Sequence, residues 1–114
     1  MEILNRRKGN VVILDVHGQI SLGESKDKFA RAMDAIFAEP SVNVLVNFEG
    51  INYLDSTGIG ELIGYMNKFV ENNRHLKILR PHERIRKLLK ITKLDTVFEI
   101  YEDEDQALKS FSGN

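Results

Sequence analysis

The chain has 114 residues, 42% hydrophobic and 29% charged, which suits one folded domain and excludes collagen-like and disordered compositions. Sixteen basic against seventeen acidic residues leave a formal net charge of -1, so no overall field draws it to nucleic acid or to an anionic membrane. Cysteine is absent, which excludes disulfides, thiolate catalysis and cysteine-based zinc sites and suits a reducing compartment.

The opening MEILNRRKGN has no apolar core behind its charges, unlike a signal peptide. No apolar run approaches the roughly 20 residues that span a bilayer, so a cytoplasmic protein outside the membrane is expected. Ile3-Leu4 and the β-branched run Val11 to Val16 flank Gly9-Asn10 and read as an opening hairpin. After a loop from Gly18 to Gly23, the three- and four-residue spacing of Phe29, Ala32, Met33, Ile36 and Phe37 predicts a helix ending before Pro40. Val42 to Phe48 reads as an interior strand, followed by a loop at Gly50-Ile51-Asn52. Ile59, Leu62, Ile63, Met66, Phe69 and Val70 predict a second helix, ended by Asn72-Asn73. Leu76 to Leu79 is a short strand stopped by Pro81, and Ile85, Leu88 and Leu89 mark a third helix. Val97 to Tyr101 reads as a final strand or extended piece. Ala107, Leu108 and Phe111 then lie at helical spacing behind an acidic first turn.

Strands alternating with helices after a hairpin predict an α/β fold, with a mostly parallel sheet of four to five strands and about four helices. No repeat or linker interrupts it, so residues 1–111 are expected to form a single domain and 112–114 a frayed tail. Charge is unevenly spread. Between Arg74 and Lys93 eight basic residues accompany one acid, Glu83, whereas Asp95 to Asp105 holds six acids and no base. Solvated helix faces of opposite sign are the simplest reading.

The stretch Tyr53-Leu54-Asp55-Ser56-Thr57-Gly58-Ile59-Gly60-Glu61-Leu62-Ile63-Gly64 stands out. Asp55 or Ser56 can accept a hydrogen bond from the free N–H groups of a first helical turn. Each helical Gly costs about 0.8–1 kcal/mol relative to Ala, so Gly58, Gly60 and Gly64 are not there for helix propensity. A 100° wheel puts Ile59, Leu62, Ile63, Met66 and Val70 on one side and Thr57, Gly60, Glu61, Gly64 and Lys68 roughly opposite. Either a smooth docking strip begins beside exposed hydroxyls, or Gly58 and Gly60 ease a tight entry that Ser56 caps. Residue chemistry leaves both open.

The run YLDSTGIGELI resembles the signature of STAS-domain anti-sigma factor antagonists, Asp-Ser-(Ser or Thr)-Gly-hydrophobic-Gly at the start of the second helix. VILDVHGQI (Val12 to Ile20), Val44 to Phe48 and LLKITKLDTVFEIY (Leu88 to Tyr101) resemble the family's flanking segments, so the likeness covers about residues 3 to 111. The resemblance implies Ser56 as phosphoacceptor for a partner that is both an anti-sigma factor and a serine kinase. It implies Asp55 as the adjacent carboxylate, Thr57, Gly58 and Gly60 as the helix start that meets the partner, and a protein phosphatase as the resetting enzyme; the helical wheel adds Glu61 and Gly64 to the expected partner-binding strip. Ser21-Leu22-Gly23 departs from the family in lacking an Asp, and Asn72-Asn73 stands where a Gly pair is common. Such a protein is no enzyme, and a monomer or weak dimer is expected.

Other readings are weaker. GxSxG is absent and His75 is the nearest histidine in sequence to Ser56, which argues against a catalytic serine. His17, His75 and His82 lack metal-ligand spacing, and no Walker loop is present, so no metal, nucleotide or other cofactor is expected. STAS-like domains also serve as subunits of stress-sensing assemblies or accessory parts of transporters, the alternative that keeps the fold and changes the role.

Overall fold

Every residue from Val11 to Leu14 is buried in the computed structural model, which describes residues 1–112, so this strand is covered on both faces. Val12 and Leu14 enter one apolar cluster and Val11 and Ile13 another, as the two-residue period of a strand requires. The strand belongs to a five-stranded sheet of β1 (Glu2–Lys8), β2 (Val11–Ile20), β3 (Asn43–Leu54), β4 (Leu76–Leu79) and β5 (Ile100–Tyr101). Strands lie side by side in chain order, β1 antiparallel to β2 and each later pair parallel. With the helices α1 (Glu24–Phe37), α2 (Ser56–Glu71), α3 (Glu83–Ile91) and α4 (Glu104–Ser112), this is the expected α/β architecture.

Sequential parallel strands joined by crossovers of one hand carry all their crossover helices on the same face. Accordingly α1, α2 and α3 share the larger core, contributing Phe29, Met33, Leu62, Phe69, Ile85 and Leu89. Among the described helices α4 covers the opposite face, its Ala107, Leu108 and Phe111 packing with Ile13, Leu45 and Leu79.

Several boundaries differ from expectation. Gly50-Ile51-Asn52 is not a loop: β3 runs through it to Leu54, and β2 likewise continues through Gly18 to Ile20. Two register shifts, between Asp15 and His17 and between Gly18 and Gln19, absorb the irregularity that the glycines signalled. On α2 the buried residues are Gly58, Leu62, Tyr65 and Phe69, while Val70 is 55% exposed. Counting aliphatic residues alone rotated the stripe, because Tyr65 is buried with its hydroxyl donating to Ala30 O and to Asp34 Oδ1 (2.7 Å). Of Val97 to Tyr101 only Ile100 and Tyr101 are strand. Buried Leu94 and Phe98 anchor a 3-10 turn (Leu94–Thr96) just before them. Ser112 closes α4, and residues 113–114 of the expected tail lie outside the described residues.

The charge blocks are not simply solvated faces. Arg74 is only 7% exposed. Its guanidinium donates to Val42 O (2.7 Å), Phe37 O (3.0 Å) and Glu39 O (3.0 Å), and lies 4.6 Å from the ring centroids of Phe37 and Phe69. It thereby satisfies carbonyls that the end of α1 leaves without helical partners. Lys77 is also buried, its Nζ 2.9 Å from Ser110 Oγ and 3.4 Å from a Glu99 oxygen. Arg86 pairs with Glu102, and Arg80 donates to Glu102 O. Part of the basic block therefore pairs with the acidic block, Lys77 from a buried position and Arg80 and Arg86 at the surface. Arg74→Ala should lower stability by about 2–4 kcal/mol, since several carbonyls lose a charged donor at once. Lys87→Ala, on an exposed helix face, should change it by less than about 0.5 kcal/mol; urea unfolding of the two variants checks the contrast.

Candidate functional site at the start of the second helix

Parallel β2 and β3 end together, Ile20 opposite Leu54, and the chain turns from there into α2. Open α/β sheets commonly place their sites here, outside the carboxyl ends of the strands. Asp55 is the N-cap, in extended conformation. One carboxylate oxygen accepts from Gly58 N (2.8 Å), satisfying a first-turn donor. The other accepts from Leu22 N (3.0 Å), so the same side chain ties the β2–α1 loop to α2. These backbone donors, that of Leu22 foremost, hold the Asp55 carboxyl below its ordinary value.

Because Asp55 serves as the cap, Ser56 is not needed as one. Ser56 is the first residue of α2 and is exposed, and among the described residues no hydrogen bond engages its hydroxyl. Thr57 and Glu61 are half-buried beside it. Gly60 and Gly64 are exposed, and a Cβ added at either would meet nothing within 4 Å. Gly58 differs. It is buried, and a Cβ there would lie 2.2 Å from the carbonyl oxygen of Ile20. The glycines grouped together by sequence thus divide: Gly58 permits α2 to touch β2, while Gly60 and Gly64 leave a bare outer strip.

Two residues outside the expected partner-binding set are exposed near this junction. Leu22, at the tip of the β2–α1 loop, is 78% exposed, and Tyr53 is 51% exposed. An apolar residue between Ser21 and Gly23 in a turn was the available signal for Leu22. Tyr53 belongs to the end of β3, which runs on to Leu54 past the loop expected at Gly50-Ile51-Asn52. His17 and His82 are exposed and lie on other elements, and among the described residues no three His, Cys, Asp or Glu side chains group as a metal site. No described helix is long and apolar enough to cross a membrane.

Residues 2–107 match the STAS domain. The chain belongs to the STAS domain family. An anti-sigma-B factor antagonist of Staphylococcus aureus (strain NCTC 8325 / PS 47) is 35% identical over 60 residues, which is 53% of this chain and 56% of that protein. The match thus spans little more than half of the relative's length. An anti-sigma factor antagonist from Mycobacterium paratuberculosis superposes with a TM-score of 0.79 at 19% identity, covering 97% of this chain and 93% of that one. The anti-sigma factor antagonist SpoIIAA in its unphosphorylated form superposes at 0.70 and 20% identity, covering 99% and 100%. Its phosphorylated form, from Bacillus, superposes at 0.69 and 18% identity, covering 96% and 98%. The STAS fold therefore accounts for the whole described sheet and its helices.

The division among the glycines is testable. Gly58→Ala should destabilise the protein strongly, because the clashing atom is backbone and cannot rotate away, whereas Gly60→Ala should stabilise it by up to about 1 kcal/mol. Chemical denaturation of both variants measures this. The depressed Asp55 carboxyl contributes stability at pH above its ordinary value of 3.8, lost as pH falls through the lower folded value. A carboxyl-carbon NMR titration should place the Asp55 midpoint below 3.8, and Asp55→Asn should remove that part of the acid dependence.

Proposed function

We propose that this STAS domain is a non-enzymatic binding switch of the cytoplasm, set by phosphorylation of Ser56. Unphosphorylated, it binds an anti-sigma factor that has serine kinase activity, so that the sigma factor is released. That kinase phosphorylates Ser56 and the complex parts, and a protein phosphatase restores the binding form. The observation that carries this reading is the Ser56 hydroxyl, exposed and unengaged on the first residue of α2 while Asp55 provides the cap. Relatives named as anti-sigma factor antagonists support the choice of partner.

The physical chemistry of the switch follows from the cap. A phosphate on Ser56 brings about 1.5 to 2 negative charges to the positive end of a helix, which tolerates them, and Asp55 keeps Gly58 N and Leu22 N satisfied. The domain stays folded. The partner's surface meets a different site: a bulky dianion beside the Asp55 carboxylate, next to the bare strip of Gly60 and Gly64. Burying that charge without a cation is expensive, and a loss of about 3 kcal/mol lowers affinity roughly a hundredfold. No conformational change is needed for an on-off response.

The test is affinity capture of the anti-sigma factor on immobilised wild-type protein, then calorimetry with the purified partner. Wild type and Ser56→Ala should bind alike, and Ser56→Asp about a hundredfold more weakly or not at all. With ATP, the partner should place one phosphate on wild type and none on Ser56→Ala. Equal binding by Ser56→Asp, or phosphate transfer that ignores Ser56, would sink the proposal. Gly64→Leu, which fills the bare strip without touching the core, should also weaken capture.

A further inference from the structure

Ser56 and the few residues around it are too small an area for a stable complex, which typically covers about 800 Å² on each partner. A partner seated on Ser56 must reach onto a neighbouring surface. One neighbour is a hollow lined mainly by polar groups, among them Gln19, Glu24, Ser25 and Lys28. Another is a groove of about 660 Å³ between the last residues of β3 and the outer side of α3. Two of its lining residues, Tyr53 and Leu54, immediately precede Asp55 and Ser56 in the chain, so the groove lies next to the hydroxyl's end of α2.

The groove carries apolar surface that none of the described residues covers. Arg84, Lys87, Leu88 and Ile91 occupy one side of α3, while Ile85 and Leu89 face the core. Ile91 is 80% exposed, an unusual environment for a residue of its size, and half-exposed Tyr53 lines the same groove. Aromatic and large aliphatic side chains in a concave patch are where binding energy concentrates in interfaces. The charge at its rim is positive. Arg84 makes no ion pair or hydrogen bond among the described residues, and Glu83, the acid on the rim, is already 3.4 Å from Lys87 Nζ.

From this groove we infer a second contact area for the kinase-type partner, one that receives an apolar segment bearing acidic side chains and survives phosphorylation of Ser56. The inference rests on the switch reading above and deepens it. The groove does not touch the hydroxyl itself, so it supplies affinity equally before and during phosphoryl transfer. Such uniform binding governs KM and leaves kcat alone. It also gives the partner a hold that is separate from the phosphorylated position.

The experiment uses the anti-sigma factor captured and purified as above, with Arg84→Glu and Ile91→Ser made separately; both side chains are exposed, and circular dichroism confirms that each variant folds. Each should weaken binding of the unphosphorylated protein by about tenfold and raise KM for Ser56 phosphorylation in proportion, with kcat unchanged. Added salt should weaken wild type more than Arg84→Glu. Should both variants bind as wild type does while Ser56→Asp does not, the groove inference fails and the switch stands. Should Ser56→Asp bind normally, the switch fails first and takes this inference with it. Sedimentation showing a wild-type dimer that Ile91→Ser dissociates would assign the groove to a second copy of the chain and overturn the proposal.

Discussion

The first turn of α2 starts so close to the carboxyl end of β2 that nothing larger than hydrogen fits where the two meet. Gly58 supplies that opening against Ile20 O, and Asp55 fastens it from both sides through Gly58 N and Leu22 N. The position of Ser56 depends on this junction. With the cap assigned to its neighbour and the close contact assigned to Gly58, the serine is left at the helix start without a structural duty. An exposed hydroxyl held by so rigid a support can be modified without disturbing the support.

Elsewhere charged side chains tie separate elements of the chain together. Arg6 binds Asp15 on β2 and Glu104 on α4 at once and holds both carboxyls below their usual range, through hydrogen bonds first. Arg74 and Lys77 are buried against carbonyls, hydroxyl and aromatic rings rather than spread on the surface. The two oppositely charged blocks of sequence therefore cross-link the sheet to its helices. What remains free of this pairing, with Arg84 as the plainest case, is correspondingly informative about what lies outside the molecule.

Much of this was legible before the structure. Hydrophobic period alone yields the hairpin, the three crossover helices, α4 and the parallel core strands, because each element buries one regular face. The reading failed where another force overrode the period. Glycines in β2 and β3 suggested loops, yet bulged parallel pairing carries both strands through them. Tyr65 was overlooked because its burial depends on a hydroxyl partner on another helix. At the site, the wheel already places Gly60 and Gly64 on the outer side, but the resemblance groups Gly58 with Gly60, and only the folded structure shows that Gly58 is a packing residue. Exposure of Leu22, Tyr53 and Ile91 follows from where loops and helix ends come together, and no local pattern encodes that.

The one described helix on the reverse face gives the molecule an uneven resistance to loosening. Elements of the larger core hold one another mutually, whereas α4 is retained by a short patch around Ala107 and by bridges from Arg6 and Lys77 that reach it from distant parts of the chain. Lifting α4 away would bare Ile13, Leu45 and Leu79 without parting the contacts that hold the first turn of α2, so on physical grounds it is the least costly local opening. Breathing at the carboxyl terminus and recognition at Ser56 are thereby carried by opposite sides of one sheet, and the former can proceed without blurring the latter.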